Sequence, residues 1–209
     1  MSPGNIYANR GYGFVLDWSA PNLNLRWRLL DPRSVELNPS IRQEVIDGPI
    51  DLNGDGFIDD NETVRHLHPM LRLLAYTSST ASVSDARIDI DVLVVGGSGA
   101  KRSIEQLTRE ALTELFGAGA AQAPAEPRKL GPDFDARIVE GDTPRGPFRL
   151  ALIDQPGFVS EGDIPRRQAV RVALYAREIT SALRADFNQI IESILLNRRG
   201  SPPTQQEQW

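Results

Sequence analysis

Residues 51–62 read DLNGDGFIDDNE, and their oxygen-bearing side chains fall at intervals that suit a hard divalent cation. Calcium takes about six to eight oxygen ligands in a roughly pentagonal-bipyramidal shell. Asp51, Asn53 and Asp55 offer side-chain oxygens at the first, third and fifth places of the run. Phe57, at the seventh, needs to offer only its backbone carbonyl, which leaves its side chain free. Asp59 stands at the ninth place, where contact commonly runs through a water. Glu62, at the twelfth, closes the shell with both carboxylate oxygens. Gly56 lets the chain turn sharply where a Cβ would resist. The spacing therefore assigns Ca2+ to Asp51, Asn53, Asp55, Phe57, Asp59 and Glu62.

These residues resemble the EF-hand-type loops of calmodulin-like proteins and of bacterial dockerin modules, and the resemblance covers this segment alone. It implies an apolar eighth residue, here Ile58, that packs inward or pairs with a second loop. No second run of this kind occurs in the chain, so Ile58 has no partner loop within it. Gly48 and Pro49 stand where a helix would enter the loop and break it. The outgoing side reads as helix, with Val64, Leu67, Leu71 and Leu74 at helical spacing and Pro69 as a kink. This loop-then-helix pattern is similar to the dockerin arrangement, and it predicts a lone structural site rather than an opening switch.

Other candidate chemistry is weaker. VLVVGGSGAKRS (92–103) resembles a phosphate loop, and LALIDQPG (150–157) resembles the strand-then-DxxG element of GTPases. The register fails, because Ala100 precedes Lys101 and Arg102 follows it where a P-loop needs Gly and Ser or Thr. The bland reading of Gly96–Lys101 is a Gly-rich strand-to-helix turn, and an anion at the start of the helix is the sharper one. His66 and His68 are the only histidines and, two apart on a helix, diverge. Asp89 with Asp91, and Asp133 with Asp135, sit at strand spacing and read as solvated faces. With no cysteine, disulfides, thiolate metal sites and cysteine nucleophiles are excluded.

The elements that must carry these residues can be read from periodicity. Residues 1–50 form an extended arm, punctuated by Pro and Gly, with strand-like pieces at Tyr12–Trp18 and Leu23–Leu29. Such pieces cannot bury their apolar faces alone and are expected on the main body or on a neighbour. Arg87–Val95 reads as a strand running from an exposed edge into the core. Lys101–Phe116 is an amphipathic helix stopped by Gly117, and 117–133 reads as a linker. Phe134–Glu140, Phe148–Ile153 and Ala169–Tyr175 are strands, the first two joined as a hairpin through 141–146. Glu178–Asn197 is a second amphipathic helix, with Arg198, Arg199 and Gly200 ending it. Residues 200–209 read as a flexible tail.

The predicted class is α+β, a mixed or antiparallel sheet packed with two or three amphipathic helices, plus the N-terminal arm. The arm spans 1–50, the domain that opens with the calcium loop spans 51–199, and the tail spans 200–209. A net charge of −5 gives no footprint for nucleic acid, and Arg26, Arg28 and Arg33 form only a small solvated or subunit-facing group. No apolar run is long enough to span a bilayer, and no signal segment is visible at the start. The sequence predicts a non-enzymatic calcium-binding structural or assembly protein whose partners are protein subunits, its own or others. A virion component, such as a phage tail or neck protein, is one form of that role. The alternative is a calcium-dependent extracellular or envelope-associated binding module, and an enzyme with an unrecognised site stands third.

Overall fold

The computed structural model describes residues 6–9, 14–17, 23–29, 65–66, 71–76, 86–96, 101–131, 134–144, 146–155 and 166–196. In chain order these form β1 (Ile6–Asn9), β2 (Phe14–Asp17), β3 (Arg26–Leu29), β4 (Arg65–His66), β5 (Leu71–Tyr76) and β6 (Ala86–Gly96). Then come α1 (Ile104–Phe116), a 3-10 turn (Ala120–Gln122), β7 (Ala125–Leu130), β8 (Phe134–Thr143), β9 (Gly146–Gln155) and β10 (Arg166–Ala176). α2 (Ser181–Glu192) and β11 (Leu195–Leu196) close the described chain.

Seven strands form one sheet in the order β3-β5-β6-β10-β9-β8-β7, and every pairing is antiparallel. β4 pairs with β6 at Leu93 and Val94, beyond the part of β6 that β5 occupies. A smaller sheet, β1-β2-β11, joins the N-terminal hairpin to the segment after α2. The class is thus α+β, dominated by an antiparallel sheet.

Strand periodicity decides what each face of the large sheet carries, since successive side chains point to opposite sides. Ile88, Ile90 and Val92 of β6 lie opposite Leu174, Val172 and Val170 of β10, and Ala151 and Ile153 of β9 continue the row. All are buried in one cluster with Leu183, Phe187, Ile190 and Ile191 of α2 and with Trp27, Leu73 and Leu16. On the other face, Leu93, Leu152 and Ala169 pack on Ile104 and Leu107 of α1. Val139, Phe148, Leu150 and Ala173 pack there on Ala111 and Leu112. Each such fully buried large apolar side chain contributes about 1.5–3 kcal/mol, so the two helices are held mainly by these faces.

α1 begins with a reciprocal capping box. The Ser103 hydroxyl accepts from the Gln106 N–H, and the Gln106 side chain accepts from the Ser103 N–H. It ends at Gly117, whose φ of 90° an L-residue resists and whose N–H bonds the Thr113 carbonyl. Gly141 serves a different purpose. A Cβ there would meet the Phe148 ring at 3.1 Å, and that ring stacks on Phe116 of α1 with centroids 4.0 Å apart.

The structure corrects four expectations. Helical spacing over Val64–Leu74 gives way to strands β4 and β5, because Leu73 and Ala75 alternate with half-buried Arg72 and Leu74 against β6. The outgoing helix of the loop-then-helix pattern is therefore replaced by strand at 65–66. Residues 67–70, with Pro69, separate β4 from β5 and lie outside the described residues. The supposed linker 117–133 contains the 3-10 turn and β7, an edge strand. The second helix stops at Glu192 rather than Asn197, for two reasons. Ser193 turns its hydroxyl back to the Ile190 carbonyl, and Leu195–Leu196 pair with β2. Finally, β6 is a central strand, so Asp91 is buried and Asp89 half-buried, and neither lies on a solvated face.

Candidate functional site

Asp51, Asn53, Asp55, Phe57, Asp59 and Glu62, expected from their spacing to hold calcium, lie outside the described residues, as do His68 and Asp133. Among the described residues, no group of three or more His, Asp or Glu side chains gathers as a metal shell. β4 begins at Arg65, three residues after Glu62, and pairs directly with the central strand β6.

The two nucleotide-like segments begin on β6 and β9, which flank β10 in one sheet. Gly96 ends β6 and Lys101 is exposed ahead of α1, and residues 97–100 between them lie outside the described residues. Asp154, from the DxxG-like run, is ion-paired with Arg167, whose guanidinium also donates to the Arg102 carbonyl. Charge from Asp154, first through its hydrogen bond, raises the Arg167 pKa against the opposing effect of burial. An open depression of about 450 Å3 runs along α1, lined by Gln106, Arg109, Glu110, Thr113 and Glu114. Its polar groups hold the helix itself: Gln106 in the cap, Glu110 on Arg102, Thr113 on the Arg109 carbonyl, and Glu114 on Arg171.

Two buried polar constellations went unread in the sequence. The first lies under α1. Arg171, at the middle of β10, is 1% exposed, and its Nε donates to Asp91 at 2.6 Å from the register-matched position on β6. Its Nη1 donates to Glu114 of α1 at 2.6 Å. Burial opposes the charge, but the fields of Asp91 and then Glu114 outweigh it and raise the Arg171 pKa. Next to it, Asp89 pairs with Arg72 and Arg87, and the Arg87 guanidinium lies 4.2 Å from the Tyr175 ring centroid. Burial, then the Asp89 charge, pushes the Tyr175 phenol up to about 12.

The second lies on the opposite face. Asp186 of α2 is 0% exposed and accepts from the N–H groups of Asn24 at 2.7 Å and Leu25 at 2.9 Å. It also accepts from the Asn24 amide at 2.8 Å and the Trp27 indole at 2.9 Å. Residues 23–29 thus form a strap: β3 adds to the sheet beside β5, and the residues before it fasten to α2. One sequence signal was available, since Asp186 sits in the apolar stripe of the helix, beside Phe187 and three residues after Leu183. An acidic residue in a stripe demands donors, and the periodicity cannot say which segment supplies them.

Both constellations join elements, and Glu114 of the first also lines the depression along α1. Chemically they anchor. Comparison with known proteins returns no match for this chain, whether among family models, curated proteins or solved structures.

Proposed function

We propose that this chain is a non-enzymatic structural or assembly protein that binds Ca2+ through Asp51, Asn53, Asp55, the Phe57 carbonyl, Asp59 and Glu62. The observation that carries the reading is the complete ligand spacing of DLNGDGFIDDNE. Its position supports a structural role, because the run ends three residues before β4, which pairs with the central strand of the sheet. A cation held there ties the segment after β3 to the body of the fold. The partners are protein subunits, and a virion component is the form of assembly that suits a calcium site acting outside the cell.

The test is a calcium titration followed by melting temperature and sedimentation together. At a calcium concentration about 100 times the Kd, binding contributes about 2.7 kcal/mol, or about 5–11 °C in Tm for a chain of this size. The shift disappears in Glu62→Gln. A rise in Tm at constant sedimentation identifies a local clamp, whereas calcium-dependent growth in mass identifies a subunit interface. A Tm and a sedimentation coefficient both indifferent to calcium would sink the proposal.

A further inference from the structure

We infer that the described N-terminal segments, 6–9, 14–17 and the strap 23–29, are an exchangeable element that a second copy of this chain can accept in place of its own. The partner is defined by the chemistry of the acceptor, to which α2 and β11 from the far end of the sequence and β5 from its middle contribute. β2 pairs with β11, Asp186 of α2 holds Asn24, Leu25 and Trp27, and Leu16 is fully buried in the cluster that includes Phe187 and Ile190. The third attachment is β3 on β5.

Three features point to exchange. Every bond to Asp186 spans about 160 positions in sequence, so the strap reaches its seat with no help from local chain geometry. The connection from β3 to β4 is residues 30–64, which extended can reach on the order of 100 Å, enough to cross to a neighbouring molecule. The acceptor also has to be filled. Among the described residues all hydrogen bonds to the fully buried Asp186 side chain come from the strap, and leaving such a carboxylate without donors is strongly unfavourable. A neighbour's strap satisfies it as well as the chain's own, with the same contacts and no new interface chemistry. Such exchange of an identical element is a low-cost route to closed or open assemblies. The inference rests on the assembly half of the proposed function and not on calcium.

The absence of cysteine makes the test clean. The Asn24 amide lies 3.5 Å from the Ala182 carbonyl at the exposed rim of the seat. Asn24→Cys and Ala182→Cys are made separately, one of them isotope-labelled, and a double variant is made as control. Folded proteins are mixed at rising concentration in a calcium chelator, treated with a short bis-maleimide, and analysed by peptide mass spectrometry. The double variant is expected to cross-link position 24 to 182. Mixed single variants are expected to give the same link between a labelled and an unlabelled chain, in a yield that rises with concentration. A link in the double variant alone, at every concentration, overturns exchange. No link in either overturns the seat itself. Because calcium is withheld, failure here is separate from failure of the calcium titration.

Discussion

Asp91 and Asp186 face the same physical difficulty on opposite faces of one sheet, and they are stabilised by different means. Asp91, under α1, is neutralised by a buried guanidinium, which Glu114 then shares. Asp186, in α2, has no cation among its hydrogen-bond partners in the described residues and is held by two main-chain N–H groups, an amide and an indole. The charge pair joins side chains at matched positions of adjacent strands, so it can be removed from both sides at once. The second arrangement draws on the backbone, whose donors no side-chain truncation deletes. It therefore fastens a particular segment, the strap, to a particular helix. The first region reinforces a packing that the apolar faces already provide. The second makes an attachment that those faces leave open.

The largest effect that would break this comparison is expected at Asp186. Asp186→Leu keeps the branched outline of the side chain, with methyl groups in place of the oxygens, but leaves several donors without an acceptor, each costing about 1–3 kcal/mol. The loss should reach about 3–6 kcal/mol, limited by the whole docking energy of the strap, which detaches once that limit is passed. Urea unfolding measures the loss, and amide exchange of residues 23–29 shows whether the strap has left its seat. A loss below about 1 kcal/mol would show that the strap is held without the carboxylate.

Arg171→Met comes next. It removes the guanidinium that neutralises the buried Asp91, while Glu114, about one-third exposed, can turn to water, so the expected loss is about 3 kcal/mol. The double variant Asp91→Leu with Arg171→Met should recover most of that, since well-packed apolar replacements of a buried pair are often neutral or stabilising. Recovery in a urea double-mutant cycle is the behaviour that no second-site change can give Asp186→Leu. If the double variant is as unstable as the single, the contrast between side-chain and main-chain anchoring fails.

The smallest effect belongs to Glu105 in the first turn of α1. Its own backbone N–H, then the Arg137 guanidinium and the Ser103 hydroxyl, lower its pKa from 4.5 to about 2. A lowered folded pKa means stability fully present above the unfolded value and lost as pH falls toward 2. An NMR titration of the Glu105 side chain should therefore show its midpoint near 2, moving back toward 4.5 in Arg137→Gln. Because the group is half-exposed, the accompanying change in melting temperature is expected to be slight.

Much of the sheet was legible from alternation alone. Arg87–Val95, Phe134–Glu140, Phe148–Ile153 and Ala169–Tyr175 all fall within observed strands, and the hairpin through 141–146 is present. The stripe from Ile104 to Phe116 and the stop at Gly117 were equally plain. Val64–Leu74 misled because leucines three and four apart satisfy a helix, while Leu73 and Ala75 also satisfy a strand. Only the neighbouring β6 decides between them. Residues 125–130 carry a proline and three charged side chains, which suit an edge strand and a loop alike. Asp89 and Asp91 looked solvated because the cations that receive them, Arg72 and Arg171, are 17 and 80 positions away.

By itself the sequence set the spacing of oxygen-bearing side chains in residues 51–62, the period of each core strand and the apolar stripes of both helices. These are local properties, written in the order of neighbouring side chains. Only the tertiary structure decided that β6 is central, that Arg171 lies between Asp91 and Glu114, and that Asp186 closes on a segment from the other end of the chain. The reason is that a buried polar group declares a need for a partner but not its address. Which donors reach it depends on how distant strands register, and that is settled only when the whole sheet has formed.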